Sequence, residues 1–492
     1  MDIQLSDHFT YKKLLKFAWP PISSMVFTSI YGIVDGYFVS NYVGETPFAS
    51  LNLVMPFLML LAGVGFMFGA GGSALVGFYL GMEEKEKANR YFSLVVYSAI
   101  VVGTILSIAG YIASPQISEI LGADANMMPY CILYLRINML GNIFFTVQQL
   151  FQTFLITAEK PKLGFRITII AGVTNMILDF LLVGVLGCGL AGAAWATVIS
   201  QGVGGIIPLF LFIFKKDWLI HLGKTRFEWK IIWKTCSNGI SEFLSNVSSS
   251  IVGFLFNLQL MKYAGEDGVS AYGVIMYVTF IFVAIYIGYN MGVAPVVSFH
   301  QGAGNKDELK SLYRKSLTIM FVTNITMFAI SELLAMPMAK LFVGYRPELC
   351  EMTANGLRIY SVAFLIMGFN FFGSSFFTAL NNGVVSAVIS VARTLVLQII
   401  AIYLLPMIFG TNGLWGVVIF VDTIGFIITL IFLISMGNRY GYRTRNENSK
   451  KPRLKYIILI LIICLGLFGG FCFFHFAWVA THTTNQTIDV GE

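Results

Sequence analysis

The sequence predicts an all-α polytopic membrane protein with two pseudo-symmetric six-helix lobes around a central cleft and a thirteenth helix at the C-terminus. Three observations support this fold class. Of 492 residues, 57% are hydrophobic and 12% are charged, and the mean hydropathy is +0.77, outside the range of soluble domains. Apolar runs of about 20 residues, each long enough to cross a ~30 Å hydrocarbon layer, recur along the chain. The sequence also repeats itself once.

Each apolar run is interpreted as a helix, because the strands of a membrane barrel would alternate in hydrophobicity. The first run is too long and too polar for a cleaved signal peptide, so we expect the N-terminus to stay. Thirteen spans are predicted, at 17–42, 51–80, 91–114, 129–157, 163–187, 189–214, 231–262, 269–300, 311–335, 352–380, 384–409, 412–436 and 454–479.

The charged residues between the spans predict the topology. Lysine and arginine concentrate in alternate loops, while the loops of the other side contain only Lys262, Lys340 and Arg346. Such asymmetry is typical of the positive-inside rule. The N-terminus is therefore expected in the cytoplasm, and the +7 net charge needs no nucleic-acid partner.

The two halves of the chain align at an offset of about 221 residues. "YVGE" at 42–45 returns as "YAGE" at 263–266, and "GLAG" at 189–192 returns as "GLWG" at 413–416. Because each half contains an even number of spans, the halves should be related by an axis along the membrane normal. The positions that coincide without a gap are Tyr42/Tyr263, Gly44/Gly265, Glu45/Glu266, Met55/Met276, Gly71/Gly292, Val76/Val297, Phe78/Phe299, Gly81/Gly302 and Lys85/Lys306.

These patterns divide the chain into six segments. They are an N-terminal six-helix lobe at 1–214, a cytoplasmic inter-lobe loop at 215–230, a C-terminal six-helix lobe at 231–437, a basic cytoplasmic linker at 438–453, an extra transmembrane helix at 454–479 and an external tail at 480–492.

Polar residues inside the spans are the candidates for function. A carboxylate at mid-bilayer costs a few kcal/mol or more unless it faces protein or water. The repeat supplies a control, because a polar residue required by the scaffold should occur in both halves. Each polar residue of the first-half cluster has an apolar counterpart, namely Phe256 for Asp35, Leu397 for Asn175, Ala401 for Asp179 and Val421 for Thr197. The cluster is therefore specific to the first half.

Depth also groups these residues. Asp35, Asp179 and Thr197 lie eight or nine residues from the outer ends of their spans, roughly 12–14 Å deep at helical rise. Asn175 lies one turn deeper on the same face as Asp179. Such a layer can bind a proton on a carboxylate, or offer oxygen ligands to Na⁺. The alternative is a static hydrogen-bonded network that ties the helices together.

The repeat, Pro20 and Asp35 in the first span, "NMILD" at 175–179 and "GLAGAAWAT" at 189–197 resemble the multidrug and toxic compound extrusion (MATE) family over residues 10–436. The resemblance implies secondary active efflux of amphipathic, often cationic compounds in exchange for H⁺ or Na⁺, with no cofactor. In that family, residues matching Asp35, Asn175, Asp179 and Thr197 form the ion site, and helix 1 bends near its prolines, here Pro20 and Pro21.

Some members of the family carry a second acidic site in the C-terminal lobe. Glu242 matches its helix-7 carboxylate, but Asn370 stands where helix 10 would carry another. Asp422 is a further candidate acceptor of protons or of substrate charge. Glu242 lies near the inner end of its span, so a water-facing or salt-bridged role is its alternative. Asn370 and the thirteenth helix depart from the family pattern.

Other function classes lack their motifs. The chain has no HExxH, GxSxG or GxxxxGK motif, so we do not expect an enzyme. An ion channel is disfavoured because the acids gather in one lobe instead of forming a ring. The main alternative is a lipid-linked oligosaccharide flippase of the same superfamily, which would need a basic cavity for pyrophosphate. We expect the protein to bind small-molecule substrates, to lie in a lipid bilayer and to be monomeric. Its expected location is the plasma membrane, here the bacterial inner membrane, with the C-terminus outside.

Overall fold

The computed structural model describes residues 3–443, and all regular elements in that range are helices. This confirms the predicted fold class. The elements are α1 (Tyr11–Tyr42), α2 (Glu45–Gly81), α3 (Lys85–Ile112), α4 (Ser114–Ile120), α5 (Met128–Thr157), α6 (Pro161–Leu178), a first π-helix π1 (Asp179–Val185), α7 (Gly189–Phe214), α8 (Trp229–Gly302), α9 (Lys306–Val343), α10 (Pro347–Ser361), α11 (Phe364–Ala379), α12 (Gly383–Val391), a second π-helix π2 (Ala392–Val396), α13 (Leu397–Ser435) and α14 (Gly437–Tyr440).

In the described part of the chain, nine helices are long and apolar enough to span a membrane, and the bent pair α10–α11 makes ten. Two of them are interrupted by a residue outside helical geometry, Gly265 in α8 and Gly410 in α13. Each interruption separates two predicted spans, so all twelve spans predicted between 17 and 436 have helical counterparts. The predicted span 454–479, the tail 480–492 and the linker beyond residue 443 lie outside the described residues.

The duplication is also visible in the backbone. Gly44 ends the link between α1 and α2 with φ 102°, and its counterpart Gly265 interrupts α8 with φ 61°. Glu83 and its counterpart Gly304 share a left-handed conformation, with φ of 64° and 66°. Non-glycine residues rarely adopt this conformation, so its recurrence at matched positions indicates the same turn in both halves.

The described chain forms two compact units. Unit 1 contains residues 3–251, 283–309 and 374–390, and unit 2 contains residues 252–282, 310–373 and 391–443. Unit 1 thus combines the first sequence half with the predicted cytoplasmic ends of several helices of the second half. The predicted lobe boundaries at 214, 231 and 437 follow the sequence repeat and stay a prediction.

Repeat-related residues pack against each other inside unit 1. A Cβ on Gly81 would overlap the carbonyl oxygen of Phe299, and a Cβ on Gly302 would overlap the carbonyl oxygen of Phe78. Gly81 is the repeat counterpart of Gly302, and Phe78 is the counterpart of Phe299. The contact is therefore symmetric with respect to the repeat. It depends on both glycines, because only glycine permits such a close approach of two backbones.

The segment before α1 is packed into unit 1 as well. Leu5 and Phe9 have no exposed surface. The backbone N–H of Leu5 donates to Glu159 Oε1 (2.6 Å), and that of Phe9 donates to Glu308 Oε1 (2.9 Å). His8 contacts the other oxygen of Glu308. Two carboxylates, one from the link between α5 and α6 and one from the first turn of α9, therefore fix the N-terminal segment.

Candidate functional site

The candidate site is built on the packing of α1 against α6, the main neighbour of α1 in unit 1. At Gly172 of α6, a Cβ would meet the rings of Phe27 and Tyr31 at 2.5 and 2.9 Å. The absence of a side chain there lets α1 approach α6 closely. Asp35 lies one turn beyond Tyr31 on the same face of α1, so the close approach directs it towards the end of α6.

Asp179 is the first residue of π1, where α6 changes from α-helical to π-helical geometry. Its side chain is fully buried. A π-helical turn widens the helix and is frequent at functional sites. The sequence pattern placed Asp179 on a continuous helix and did not predict this turn.

The carboxyl groups of Asp35 and Asp179 lie close enough to interact with each other. Oδ1 of Asp35 and both carboxyl oxygens of Asp179 are buried, and no donor in the described part of the chain reaches them. Two ionised carboxylates offer acceptors only and repel each other. The pair is therefore suited to bind a proton or a cation between its oxygens, and its role as an ion site stays a prediction.

Tyrosines complete the surroundings of the pair. Tyr134 of α5 is 2% exposed and lies within electrostatic range of both carboxyls, and Tyr31 lies within range of Asp35. Sequence reasoning missed both, because tyrosine is common in apolar spans and periodicity does not distinguish a site tyrosine from a packing tyrosine. The one available signal was that Tyr31 precedes Asp35 by one helical turn.

The pair borders an apolar cluster. Val39, Val183 and Val198 are at most 4% exposed and pack in one cluster with Tyr134. An apolar environment strengthens electrostatic interactions and penalises an unpaired charge. The free energy of the site therefore depends strongly on whether the pair binds a positive ion.

Asn175 is 2% exposed, and its Oδ1 is a further buried acceptor without a donor among the described residues. It is one turn before Asp179, as predicted. Thr197 of α7 is half-buried, and its carbonyl oxygen accepts a hydrogen bond from Ser200 Oγ (2.8 Å). No hydrogen bond described in residues 3–443 connects the Thr197 hydroxyl to the acids, so its role as a ligand stays a prediction.

The predicted hinge, Pro20 and Pro21, is inside α1, which continues through both residues. Proline removes a backbone donor, so two carbonyl groups one turn earlier lose their helical partner. Ser24 Oγ donates back to the carbonyl oxygen of Pro20 (3.0 Å). Bending at this place stays a prediction.

The residues of the candidate second site separate into two groups. Asn370 Nδ2 donates to Asp422 Oδ1 (2.9 Å), so these two meet in unit 2. Glu242 belongs to unit 1, where its carbonyl oxygen accepts from Asn246. Arg393 of π2 also donates to Asp422 Oδ1 (3.0 Å), and sequence reasoning did not include this arginine. Asp422 is therefore a paired acid.

The described residues offer few clusters of the side chains that most often bind metal ions in proteins. Within residues 3–443, no group of three or more His, Cys, Asp or Glu side chains could bind a metal ion together. A Na⁺ ion at the Asp35–Asp179 pair would take its remaining oxygens from groups such as Asn175 Oδ1, which suits a hard cation.

Comparisons with known proteins give consistent results. The family model described as MatE matches residues 20–181 and 243–404, once in each half. "Multidrug export protein MepA" of Staphylococcus haemolyticus is 24% identical over 436 residues, which cover 87% of this chain and 94% of that protein. The protein of the same description from Staphylococcus saprophyticus is 23% identical over 450 residues, covering 90% and 97%.

Solved structures are similar in fold. A crystal structure described as MATE in complex with MaL6 superposes with a TM-score of 0.84 at 21% identity, covering 89% of this chain and 98% of that chain. An outward-facing structure of a multidrug resistance MATE family transporter of the MOP superfamily gives a TM-score of 0.83 at the same identity and coverage.

Proposed function

We propose that this chain, which belongs to the MATE family of multidrug efflux transporters, exports small amphipathic, cationic compounds in exchange for H⁺ or Na⁺. The family consists of transporters and not enzymes, and the chain is a multi-pass membrane protein. The names of its relatives favour drug export over the flippase alternative. We place the protein in the plasma membrane with a cytoplasmic N-terminus, from the charge asymmetry of its loops.

The observation that carries the ion-coupling proposal is the buried pair of facing carboxyls, Asp35 and Asp179. Their oxygens have acceptor capacity that the surrounding protein does not use. Binding H⁺ or Na⁺ there removes repulsion inside an apolar environment. An ion gradient can therefore change the free energy of the site, and through α1 and α6 the conformation of unit 1.

Alternating access requires the predicted cytoplasmic ends of the helices to separate and rejoin. The reciprocal contacts of Gly81 with Phe299 and of Gly302 with Phe78 are a candidate for the region that parts, because they join helices of both halves by backbone packing. We propose that occupation of the Asp35–Asp179 pair favours one of the two arrangements. A ligand shifts such an equilibrium only by its difference in affinity for the two states.

The test is transport of a fluorescent lipophilic cation by purified protein in proteoliposomes, with a pH gradient or a Na⁺ gradient imposed singly. We expect one gradient to drive export by the wild type, and Asp35→Asn and Asp179→Asn to reduce that rate at least tenfold. Asp217→Asn, which changes an exposed loop acid, is the matched control and should transport at the wild-type rate.

Substrate binding is measured separately, so that a lost site is distinguished from lost coupling. We expect both Asn variants to bind the dye within about threefold of the wild type. Gradient-driven export by Asp35→Asn at the native rate would show that coupling does not use this pair. A wild type that moves no cation under either gradient would contradict the proposed exchange itself.

A further inference from the structure

A cavity of about 320 Å³ lies in unit 1 between the start of α1 and the start of α6, away from the Asp35–Asp179 pair. Its lining includes four cationic side chains and one carboxylate. They are Lys16 from α1, Lys160 before α6, Lys162 and Arg166 from α6, and Glu159. We call this feature the basic cavity. The described residues of the lining give it a positive formal charge, with four cations against one acid.

Three of the four cations of the basic cavity have no ion-pair partner among the described residues. No ion pair within residues 3–443 involves Lys16, Lys162 or Arg166. Glu159 already accepts the N–H of Leu5, which occupies one of its oxygens. The positive end of the α6 dipole adds to the same field, because Pro161 and Lys162 begin that helix and line the cavity. The cavity is therefore complementary to an anion.

The surface of α6 beyond the cavity indicates how the anion is presented. Lys162 and Arg166 are one turn apart on one face of α6. The same face continues with Ile170, Val173 and Ile177, which are 49%, 41% and 53% exposed. A cationic end followed by an exposed apolar strip matches a phospholipid, whose charged headgroup adjoins apolar chains.

The side of α1 next to the cavity has the same character. Leu15 and Trp19, which flank Lys16, are 44% and 67% exposed. Tryptophan is enriched at the level of lipid headgroups because its ring is amphipathic. Basic pockets between membrane helices at the cytoplasmic side are suited to anionic headgroups. We propose that the basic cavity binds a phosphate group, presented by an anionic phospholipid whose chains lie along α6.

The carboxylate of Glu159 makes this site sensitive to pH. Burial raises its pKa, while the Leu5 N–H and Lys160 act in the opposite direction; Asp7 raises it and Lys85 lowers it further. The raised pKa increases the protonated fraction of Glu159 at acidic pH, and protonation removes the negative charge that Glu159 contributes to the basic cavity, which favours the anion.

The test measures binding of three probes to the full-length protein in a neutral detergent by isothermal titration calorimetry. The probes are dihexanoyl-phosphatidylglycerol, dihexanoyl-phosphatidylcholine and inorganic phosphate. We expect phosphatidylglycerol to bind at least tenfold more tightly than phosphatidylcholine, whose choline cation opposes the site. It should also bind more tightly than inorganic phosphate, which lacks the chains that contact α6.

Two triple variants locate the site. Lys16→Gln/Lys162→Gln/Arg166→Gln should weaken phosphatidylglycerol binding more than tenfold. The matched control Lys215→Gln/Lys216→Gln/Lys224→Gln removes three exposed loop cations and should stay within twofold of the wild type. The variant Lys16→Arg/Lys162→Arg/Arg166→Lys keeps the charge and should keep the affinity, which separates lost binding from misfolding.

Several results would overturn the proposal. Equal affinity for the two lipids, or an equal loss in both Gln triples, would show that the basic cavity does not select an anionic headgroup. Binding of inorganic phosphate as tight as that of phosphatidylglycerol, and lost in the same triple variant, would assign the cavity to free phosphate and refute the lipid. Transport is not part of this test, so its result is independent of the proposed export activity.

Discussion

The buried ion pair between Arg393 and Asp422 allows a quantitative prediction. The side chain of Arg393 is 13% exposed and that of Asp422 is 2% exposed. Asp422 also accepts two hydrogen bonds from Asn370 Nδ2, at its backbone and side-chain oxygens, both of 2.9 Å. The guanidinium of Arg393 lies 4.2 Å from the ring centroid of Phe371. Replacing Arg393 by methionine would leave Asp422 as a buried charge with only an amide partner.

The expected cost follows from that loss. Removing one partner of a buried ion pair costs about 3–5 kcal/mol, because the other charge stays desolvated. The double replacement Arg393→Met/Asp422→Leu removes both charges, and apolar substitutes for a buried pair are often close to neutral. We therefore expect Arg393→Met to lose about 3–5 kcal/mol of unfolding free energy and the double variant to recover at least ~2 kcal/mol of it.

The assay is equilibrium unfolding in mixed micelles with increasing sodium dodecyl sulfate, followed by circular dichroism. Arg439→Met, at an exposed arginine near the end of the described chain, is the matched control and should change the unfolding free energy by less than ~0.5 kcal/mol. If Arg393→Met unfolds like the control, or if the double variant recovers none of the loss seen in Arg393→Met, the ion pair does not stabilise unit 2 and this reasoning is refuted.

Three further predictions concern unit 1. Gly81→Ala should lower the unfolding temperature, because its Cβ would overlap a carbonyl oxygen of α8, whereas Gly32→Ala, with open space around its Cβ, should not. Glu308→Gln should speed tryptic cleavage after Lys12, since the charged acceptor of the Phe9 N–H is lost; an unchanged rate would contradict the anchoring of this segment. Dihexanoyl-phosphatidylglycerol should bind more tightly at pH 5 than at pH 8, because the raised pKa of Glu159 increases its protonated fraction at the lower pH, and Glu159→Gln should remove the difference.

Much of the candidate site was predictable from the sequence. Counting residues from the span ends placed Asp35 and Asp179 at one depth, and their carboxyls meet. This worked because helical rise is nearly constant, so depth can be read from position. The contribution of Tyr134 was not predictable, because rotation of α5 about its axis is set by side-chain packing that a single sequence does not specify. The same limit applies to Thr197, whose depth was estimated but whose orientation was not.

The partner of Asp422 was missed for a different reason. Arg393 lies in the interior of the predicted span 384–409, and a cation at that depth needs an acid or carbonyl partner. The buried acids were interpreted from the sequence as ion sites, and no buried cation was considered as the partner of each acid. Applying the same rule to both signs of charge would have paired Asp422 with Arg393, since span 12 follows span 11 directly. Asp35 and Asp179, which have no cation partner among the described residues, would then have stood out more clearly.

The sequence repeat also indicates where the two halves of the chain contact each other. If two halves are related by a two-fold axis, a residue on that axis contacts its own counterpart. Gly77 and Ser298 satisfy this condition, because the Ser298 hydroxyl lies 3.2 Å from the position of a Gly77 Cβ. Gly81 and Gly302 lie close to such an axis, because a Cβ on each would overlap the carbonyl oxygen of the residue three positions before the other. Both pairs are related by the same offset of 221. Coincident small residues in two aligned halves therefore predict where the halves touch, and they place that contact at the ends of α2 and α8, where alternating access would require the helices to separate.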